Sequence, residues 1–307
     1  MVAILAFLEE EGISPALLRS VQAFQERHPL PEALRGRVPA PKFYYYGKEI
    51  WENAAAALLC GKNLLLTGGK ATGKNVLSEN LAMVFGRPAW NVSFHVSVDA
   101  AALIGMDTFA DGRVVFRPGP ICQCARLGGF GILDEINMAR NEALAVLHSA
   151  LDFRRCLDVP GYDRLPMEES TRFIATMNYG YAGTRELNEA LASRFVVLQM
   201  PAISPENLDR LLSRHFPTLR KKPRQQLGEL FFELQAKCGA SEISTKALDL
   251  RGLLDALELM EAGVPAGAAL DMGITCKTFD SYEQGLIRDV MAARISLKLT
   301  RDQLFDQ

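Results

Sequence analysis

Long apolar runs, metal-ligand clusters and charge of one sign are all scarce in this sequence, and each scarcity removes a class of function. No stretch approaches the roughly 18–20 consecutive apolar residues that a membrane-spanning helix needs. The apolar start from Met1 to Leu8 lacks a basic lead and runs straight into Glu9-Glu10-Glu11, so it reads as neither a signal peptide nor a span. The six cysteines (Cys60, Cys122, Cys124, Cys156, Cys238, Cys276) are scattered, and the Cys-x-Cys at 122–124 has no second pair or histidine at metal spacing. The four histidines are equally dispersed. A His/Cys metal site is therefore not expected, and the cysteines read as reduced thiols of a cytoplasmic protein. A formal net charge of −2 argues against nucleic acid as the main partner. Internal repeats and low-complexity tracts are also missing.

What is present is enough apolar residue, 49% of 307, to bury one large core and a smaller one. Punctuation divides the chain. Residues 1–42 form a helical lead, with a helix over about 14–26 closed by the proline-rich stretch Pro29 to Pro41. Over 43–203, short β-type runs alternate with helical patterns, the signature of an α/β fold with a parallel five-stranded sheet. The strands predicted are Asn63–Thr67, Trp90–Val96, Phe130–Asp134, Arg172–Thr176 and Phe195–Met200. Over 204–307 the β signal disappears; Ser204-Pro205 supplies an N-cap and first-turn proline, and helices are expected at 205–215, 223–238, 245–262 and 280–295, an all-α domain.

The strongest chemical signal is the run Gly68-Gly69-Lys70-Ala71-Thr72-Gly73-Lys74-Asn75-Val76, which follows the apolar stretch Leu64-Leu65-Leu66 and opens a helical pattern. Glycines let backbone N–H groups turn inward on a polyphosphate, the helix N-terminus adds its positive dipole end, and Lys74 reaches the β/γ oxygens. These nine residues are the candidate ATP-binding loop. Asn75 stands where the usual motif has a hydroxyl that ligates Mg2+; its amide oxygen can ligate the metal, with lower affinity or turnover as the expected consequence.

The second signal is the apolar strand Phe130-Gly131-Ile132-Leu133 ending in Asp134-Glu135. Successive strand side chains point to opposite sides, so the two carboxylates do different jobs. In nucleotide hydrolysis Asp134 would hold Mg2+, beside Asn75, while Glu135 would orient or deprotonate the attacking water. A further buried run, Arg172 to Met177, delivers Asn178 at its end, placed to hydrogen-bond the γ-phosphate or its water; an asparagine after a strand is also a common turn former. Glu186 to Ser193 then reads as a helix that ends in Arg194 immediately before a strand.

Together these residues resemble the AAA+ ATPases, and within them the MoxR branch, over about residues 43–300. The loop matches Walker A except at Asn75, Leu133-Asp134-Glu135 matches Walker B, Asn178 falls at sensor 1 and Arg194 at the arginine finger. The helical domain looks like the family lid, and Leu248-Asp249-Leu250-Arg251-Gly252-Leu253-Leu254 matches its sensor 2 helix, nominating Arg251, with Lys246 as the alternative. Phe109 to Phe116 carries an Asp-Gly hairpin signal and resembles the helix-2 insert of this clade; a second hairpin around Asp158 to Asp163 looks like the pre-sensor-1 insert. The resemblance implies an ATPase with ATP and Mg2+ as ligands, a homo-oligomeric ring, a hexamer, in which Arg194 acts on a neighbour's nucleotide, and chaperone-like remodelling of a protein client beside a partner carrying a von Willebrand factor A domain.

Two other readings stay open on the residues alone: a nucleotide-dependent scaffold with little hydrolysis, which Asn75 keeps alive, and a nucleic-acid-stimulated NTPase. The aromatic run Phe43-Tyr44-Tyr45-Tyr46 reads either as packing or as a lining for the adenine pocket. The basic turn Arg220-Lys221-Lys222-Pro223-Arg224 reads either as a solvated interhelix turn or as a contact for an acidic partner or nucleic acid.

Overall fold

The computed structural model describes residues 2–159, 161–178, 186–246 and 249–306. The chain divides into two compact units, one of Met1–Gly69 with Gly73–Pro201, the other of Ala202–Gln307 with the loop residues Lys70–Thr72.

The first unit is built on five parallel strands. With strands named in chain order, β1 is Asn63–Thr67, β2 Ala89–Ser93, β3 Gly105–Ala110, β4 Arg113–Pro118, β5 Phe130–Asp134, β6 Cys156–Leu157, β7 Leu165–Pro166, β8 Arg172–Met177 and β9 Phe195–Gln199. The large sheet has the order β2-β5-β8-β1-β9. Its three central strands are nearly continuous runs of buried residues, because helices cover both faces. The edges differ: β2 alternates, with Trp90 and Val92 buried, and β9 leaves Val196 and Val197 exposed. The fold class is the α/β parallel sheet that the alternating pattern predicts. One strand boundary differs by more than a single residue. β2 ends at Ser93 rather than Val96, because its neighbour β5 ends at Asp134 and offers only one further acceptor, the Asp134 carbonyl, to Phe94 N–H at 2.9 Å.

All parallel strands run so that their C-terminal ends share one edge of the sheet. In register, Leu66 lies beside Thr176, Leu133 beside Ala175, and Val92 beside Leu133. That edge receives the loop after β1, the acidic pair after β5 and the asparagine after β8. Ligands of open α/β sheets bind at this edge for the same topological reason.

The N-terminal helices Val2–Glu10 and Pro15–Arg27 pack onto this unit: Phe24 meets Phe85 edge-on with centroids 5.2 Å apart, and Gln25 donates to the Val84 carbonyl at 2.6 Å. Two hairpins project from the sheet. β3 and β4 close through Asp111-Gly112 with φ of 51° and 77°, the paired positive values a two-residue primed turn requires. β6 and β7 form the second, whose Pro160 lies outside the described residues. The Tyr162 hydroxyl donates to Asp107 at 2.5 Å and its ring packs on Phe116 at 4.9 Å, so the hairpins brace each other. Phe109 and Val114, paired near the tip, are 75% and 64% exposed.

The second unit is helical: Pro205–His215, Lys221–Gly239, Leu250–Glu261, Ala266–Gly273, Ser281–Arg294 and Arg301–Leu304. Ser204 caps the first of these, accepting from Asn207 N–H at 3.2 Å. Two features depart from expectation. The third helix begins at Leu250 rather than 245, where Asp249 accepts from Arg251 N–H at 3.1 Å and so satisfies one of the free donors of the first turn. The helix Ala266–Gly273 was not foreseen, since its Gly/Ala-rich sequence carries little apolar periodicity. Its reason is tertiary: a Cβ on Gly252 would lie 2.0 Å from the Gly273 carbonyl oxygen, so two glycines let the helix backbones touch.

No helix among the described residues is long and apolar enough to cross a membrane.

Candidate nucleotide-binding site

β1 delivers the glycine-rich loop, and the helix Lys74–Val84 starts at its end. Two loop residues take the left-handed conformation, Ala71 at φ 62° and Gly73 at φ 81°. For Gly73 this is the ordinary use of glycine, and its Cα also lies under Tyr45, whose ring would meet an added Cβ at 3.0 Å. Tyr45 is held there by Asn80, which accepts from Tyr45 N–H at 2.9 Å and donates to the Phe43 carbonyl at 2.9 Å. Burial raises the Tyr45 phenol to about 12. The aromatic run thus backs the loop through one ring.

Lys74 is buried at the mouth of the helix, and its ammonium donates to the Gly68 and Gly69 carbonyls at 3.0 and 2.7 Å. Burial lowers its pKa to about 8; the carboxylates of Asp134 and Glu135 pull the other way. A cation stripped of water and surrounded by inward-turned backbone is prepared to exchange its carbonyl partners for phosphate oxygens.

Asp134 lies at the centre of the sheet edge. Its Oδ1 accepts from the Thr176 hydroxyl at 2.6 Å and its Oδ2 from the Asn75 amide at 3.1 Å. Thr176, 1% exposed on β8, also accepts from the Glu135 N–H at 3.1 Å. Glu135 adopts φ 54° and ψ 46°, left-handed geometry that costs a non-glycine residue on the order of 1 kcal/mol. This turn carries its carboxylate away from that of Asp134, and Glu135 Oε1 accepts from Asn178 Nδ2 at 3.0 Å. Asn137 in turn donates to the Asn178 carbonyl at 3.1 Å. Five residues from three segments that meet at the sheet edge, Asn75, Asp134, Glu135, Thr176 and Asn178, therefore form one connected polar network. Asp134 and the Asn75 amide oxygen are hard neutral-or-anionic oxygen donors beside a phosphate loop. That donor set suits a hard divalent cation of the Mg2+ and Ca2+ class, which completes its shell with phosphate and water.

Arg194 lies elsewhere. It precedes Phe195, which pairs with Asn63 at the start of β1, whereas the loop follows Thr67 at the other end. Five strand residues at ~3.3 Å each separate the two by roughly 16 Å, more than an arginine side chain spans. Its guanidinium is engaged locally: Nε donates to the His148 carbonyl at 3.2 Å, Nη1 to the Ala190 carbonyl, and Nη2 lies 3.7 Å from Asp152. Asp152 is also gripped by Arg154, at 2.6 Å from Nη2, a hydrogen bond that holds its carboxyl below the usual range.

On the helical unit, Arg251 is exposed in the first turn of Leu250–Glu261, and Lys246 is exposed in the preceding turn. Leu248 lies outside the described residues.

Thr176 and Asp152 were not singled out by the sequence reading. Thr176 had a signal, a hydroxyl in an otherwise apolar buried run; Asp152 had none.

Residues 63–195 match the family described as AAA domain (dynein-related subfamily). The Bacillus subtilis (strain 168) protein YojN, described as uncharacterized, is 33% identical over 243 residues, covering 78% of this chain and 80% of that one. A Staphylococcus haemolyticus (strain JCSC1435) protein, likewise described as uncharacterized, is 30% identical over 250 residues, covering 80% and 95%. A crystal structure from Cytophaga hutchinsonii ATCC 33406 aligns with 95% of this chain and 98% of its own at 15% identity and a TM-score of 0.49. With its phosphate loop, its acidic strand end and the AAA domain match over residues 63–195, the chain belongs to the AAA+ ATPases.

Proposed function

We propose that this protein is an ATP-hydrolysing member of the MoxR branch that works as a homo-oligomeric ring, a hexamer, to remodel or activate a protein partner. The observation that carries the reading is the division of groups between the two ends of one sheet. The network of Asn75, Asp134, Glu135, Thr176 and Asn178 gathers at the C-terminal edge, and Arg194 stands at the other. A site at one edge and an arginine that cannot reach it make sense when the arginine serves the nucleotide of a neighbouring copy.

In this mechanism the loop Gly68 to Val76 binds the triphosphate and Lys74 neutralises it. Asp134 and Asn75 would hold Mg2+, which would supply positive charge beside the triphosphate. Glu135 accepts a proton from the attacking water, and Asn178 fixes the Glu135 carboxylate and hence the water. Arg194 of a neighbour leaves Asp152 and meets the charge that develops on the γ-phosphate, a contribution of about 10³–10⁵ in rate where such arginines have been measured. Arg251 on the helical unit senses the nucleotide. The braced hairpins β3–β4 and β6–β7, with Phe109 and Val114 exposed, meet the client, and a von Willebrand factor A domain protein is the partner class that the family resemblance suggests.

The test is Mg2+-dependent ATP hydrolysis measured against protein concentration. Turnover per subunit that rises with concentration, and is lost in Glu135→Gln and Arg194→Ala, supports the proposal. Turnover independent of concentration and indifferent to Arg194→Ala refutes the ring mechanism. Saturable ATP binding without turnover in the wild type favours the second reading, a nucleotide-dependent scaffold, for which the local engagement of Arg194 with Asp152 is the specific observation.

A further inference from the structure

The bond between Asn75 and Asp134 carries a consequence for metal choice, which rests on the nucleotide-site reading above. In the ordinary loop a single hydroxyl oxygen occupies this position. A hydroxyl can do both tasks from one atom, donating its proton to a neighbouring carboxylate while presenting a lone pair to the metal. An asparagine cannot combine these tasks on one atom. A carboxylate only accepts hydrogen bonds, so the group that Asn75 turns toward Asp134 Oδ2, at 3.1 Å, is its NH2. Its Oδ1 then lies on the other side of the same planar amide. The amide plane and the bond to Asp134 together fix where that oxygen stands, one bond farther along the side chain than a hydroxyl would be. Asp134 itself is anchored by the Thr176 hydroxyl at 2.6 Å, so the carboxylate is not free to follow a displaced ion.

We infer that Asn75 splits the work of the missing hydroxyl between its two amide atoms, and that this moves the divalent preference of the site from Mg2+ toward the larger Ca2+. The physical ground is ligand geometry. Mg2+ demands a near-ideal octahedron at about 2.0–2.1 Å and sheds water reluctantly, whereas Ca2+ accepts amide carbonyls in looser shells at about 2.3–2.6 Å. A carbonyl oxygen whose position is set by a second obligation suits the tolerant ion better than the strict one. The lysine and glycines of the loop are unaffected, so nucleotide binding without metal is retained.

The experiment is calorimetric titration of the full chain with a non-hydrolysable ATP analogue in EDTA, Mg2+, Mn2+ or Ca2+, for the wild type, Asn75→Thr and Asn75→Ala. Wild-type affinity is expected to be at least as high with Ca2+ as with Mg2+. Asn75→Thr is expected to raise the Mg2+-to-Ca2+ affinity ratio by on the order of tenfold, the scale of change seen when the support of a metal ligand is altered. Asn75→Ala should lose the metal-dependent gain, its affinity with each cation falling to that variant's own EDTA value. A readout that needs no variant is the electron paramagnetic resonance of Mn2+ bound with the nucleotide: Ca2+ should displace it at lower concentration than Mg2+. A wild type that prefers Mg2+ as strongly as Asn75→Thr, or that binds nucleotide with no response to any metal, overturns the inference alone. A folded wild type that binds no nucleotide in any condition overturns the nucleotide-site reading and the inference with it.

Discussion

Thr176→Val is the perturbation that separates a connected site from a set of neighbours. The replacement keeps the side chain's shape and the strand preference of a β-branched residue, and removes only the hydroxyl. Two bonds go with it: the donation to Asp134 Oδ1 at 2.6 Å and the acceptance from Glu135 N–H at 3.1 Å. Hydrogen bonds to charged groups are worth about 1.5–3 kcal/mol, and a buried amide left unpaired costs about 1–3 kcal/mol. Water can reach part of the second group, since Glu135 is exposed at the surface, so a total near 2–4 kcal/mol is expected. For a unit of this size that corresponds to roughly 5–15 °C in the thermal midpoint. Thermal unfolding followed by circular dichroism measures it, with Thr176→Ser as the control that retains the hydroxyl and loses a methyl. ATP turnover at 25 °C, where both variants stay folded, should fall in the valine variant and survive in the serine variant. A valine variant within 1 °C of wild type with unchanged turnover would refute the claim that this hydroxyl ties the acidic pair to the sheet.

Two further outcomes follow from the electrostatics. Burial lowers the Lys74 pKa from 10.5 to about 8; between those values the unfolded chain holds more protons than the folded one, so stability should rise with pH across that window, as the penalty for a buried ammonium is relieved. Phosphate binding needs the charged form, so affinity for an ATP analogue should fall as pH rises through about 8, with proton uptake visible calorimetrically in buffers of different ionisation enthalpy; a flat profile would contradict it. Asp152→Asn should loosen the hold on Arg194 and lower the protein concentration needed for half-maximal turnover. A half-maximal concentration unchanged by Asp152→Asn would remove Asp152 from the argument.

The legibility of this chain in its sequence follows the range of each interaction. Local chemistry was readable: the Asp111-Gly112 pair adopts the two positive φ values that its hairpin signal requires, and Ser204-Pro205 starts a helix where the N-cap rule places it. Elements whose reason is another element were not. The helix Ala266–Gly273 exists because Gly252 and Gly273 allow two backbones to touch, and no periodicity within its own eight residues announces that. The end of β2 at Ser93 is dictated by where β5 stops.

The candidate site divides in the same way. Spacing and residue type alone determined the phosphate loop, the acidic pair at a strand end, the amide after a second strand and the arginine before a third, because each depends on a short run of backbone with a fixed local geometry. Tertiary structure decided which of these belong together. Strand order brings Asn75, Asp134, Glu135 and Asn178 to one edge, makes Thr176 the link between them, and leaves Arg194 at the opposite end in the hold of Asp152. The order of strands in a sheet is a property of nonlocal pairing between segments far apart in the chain, and it is there, rather than in any motif, that an arginine close to a site in sequence pattern becomes one that its own site cannot reach.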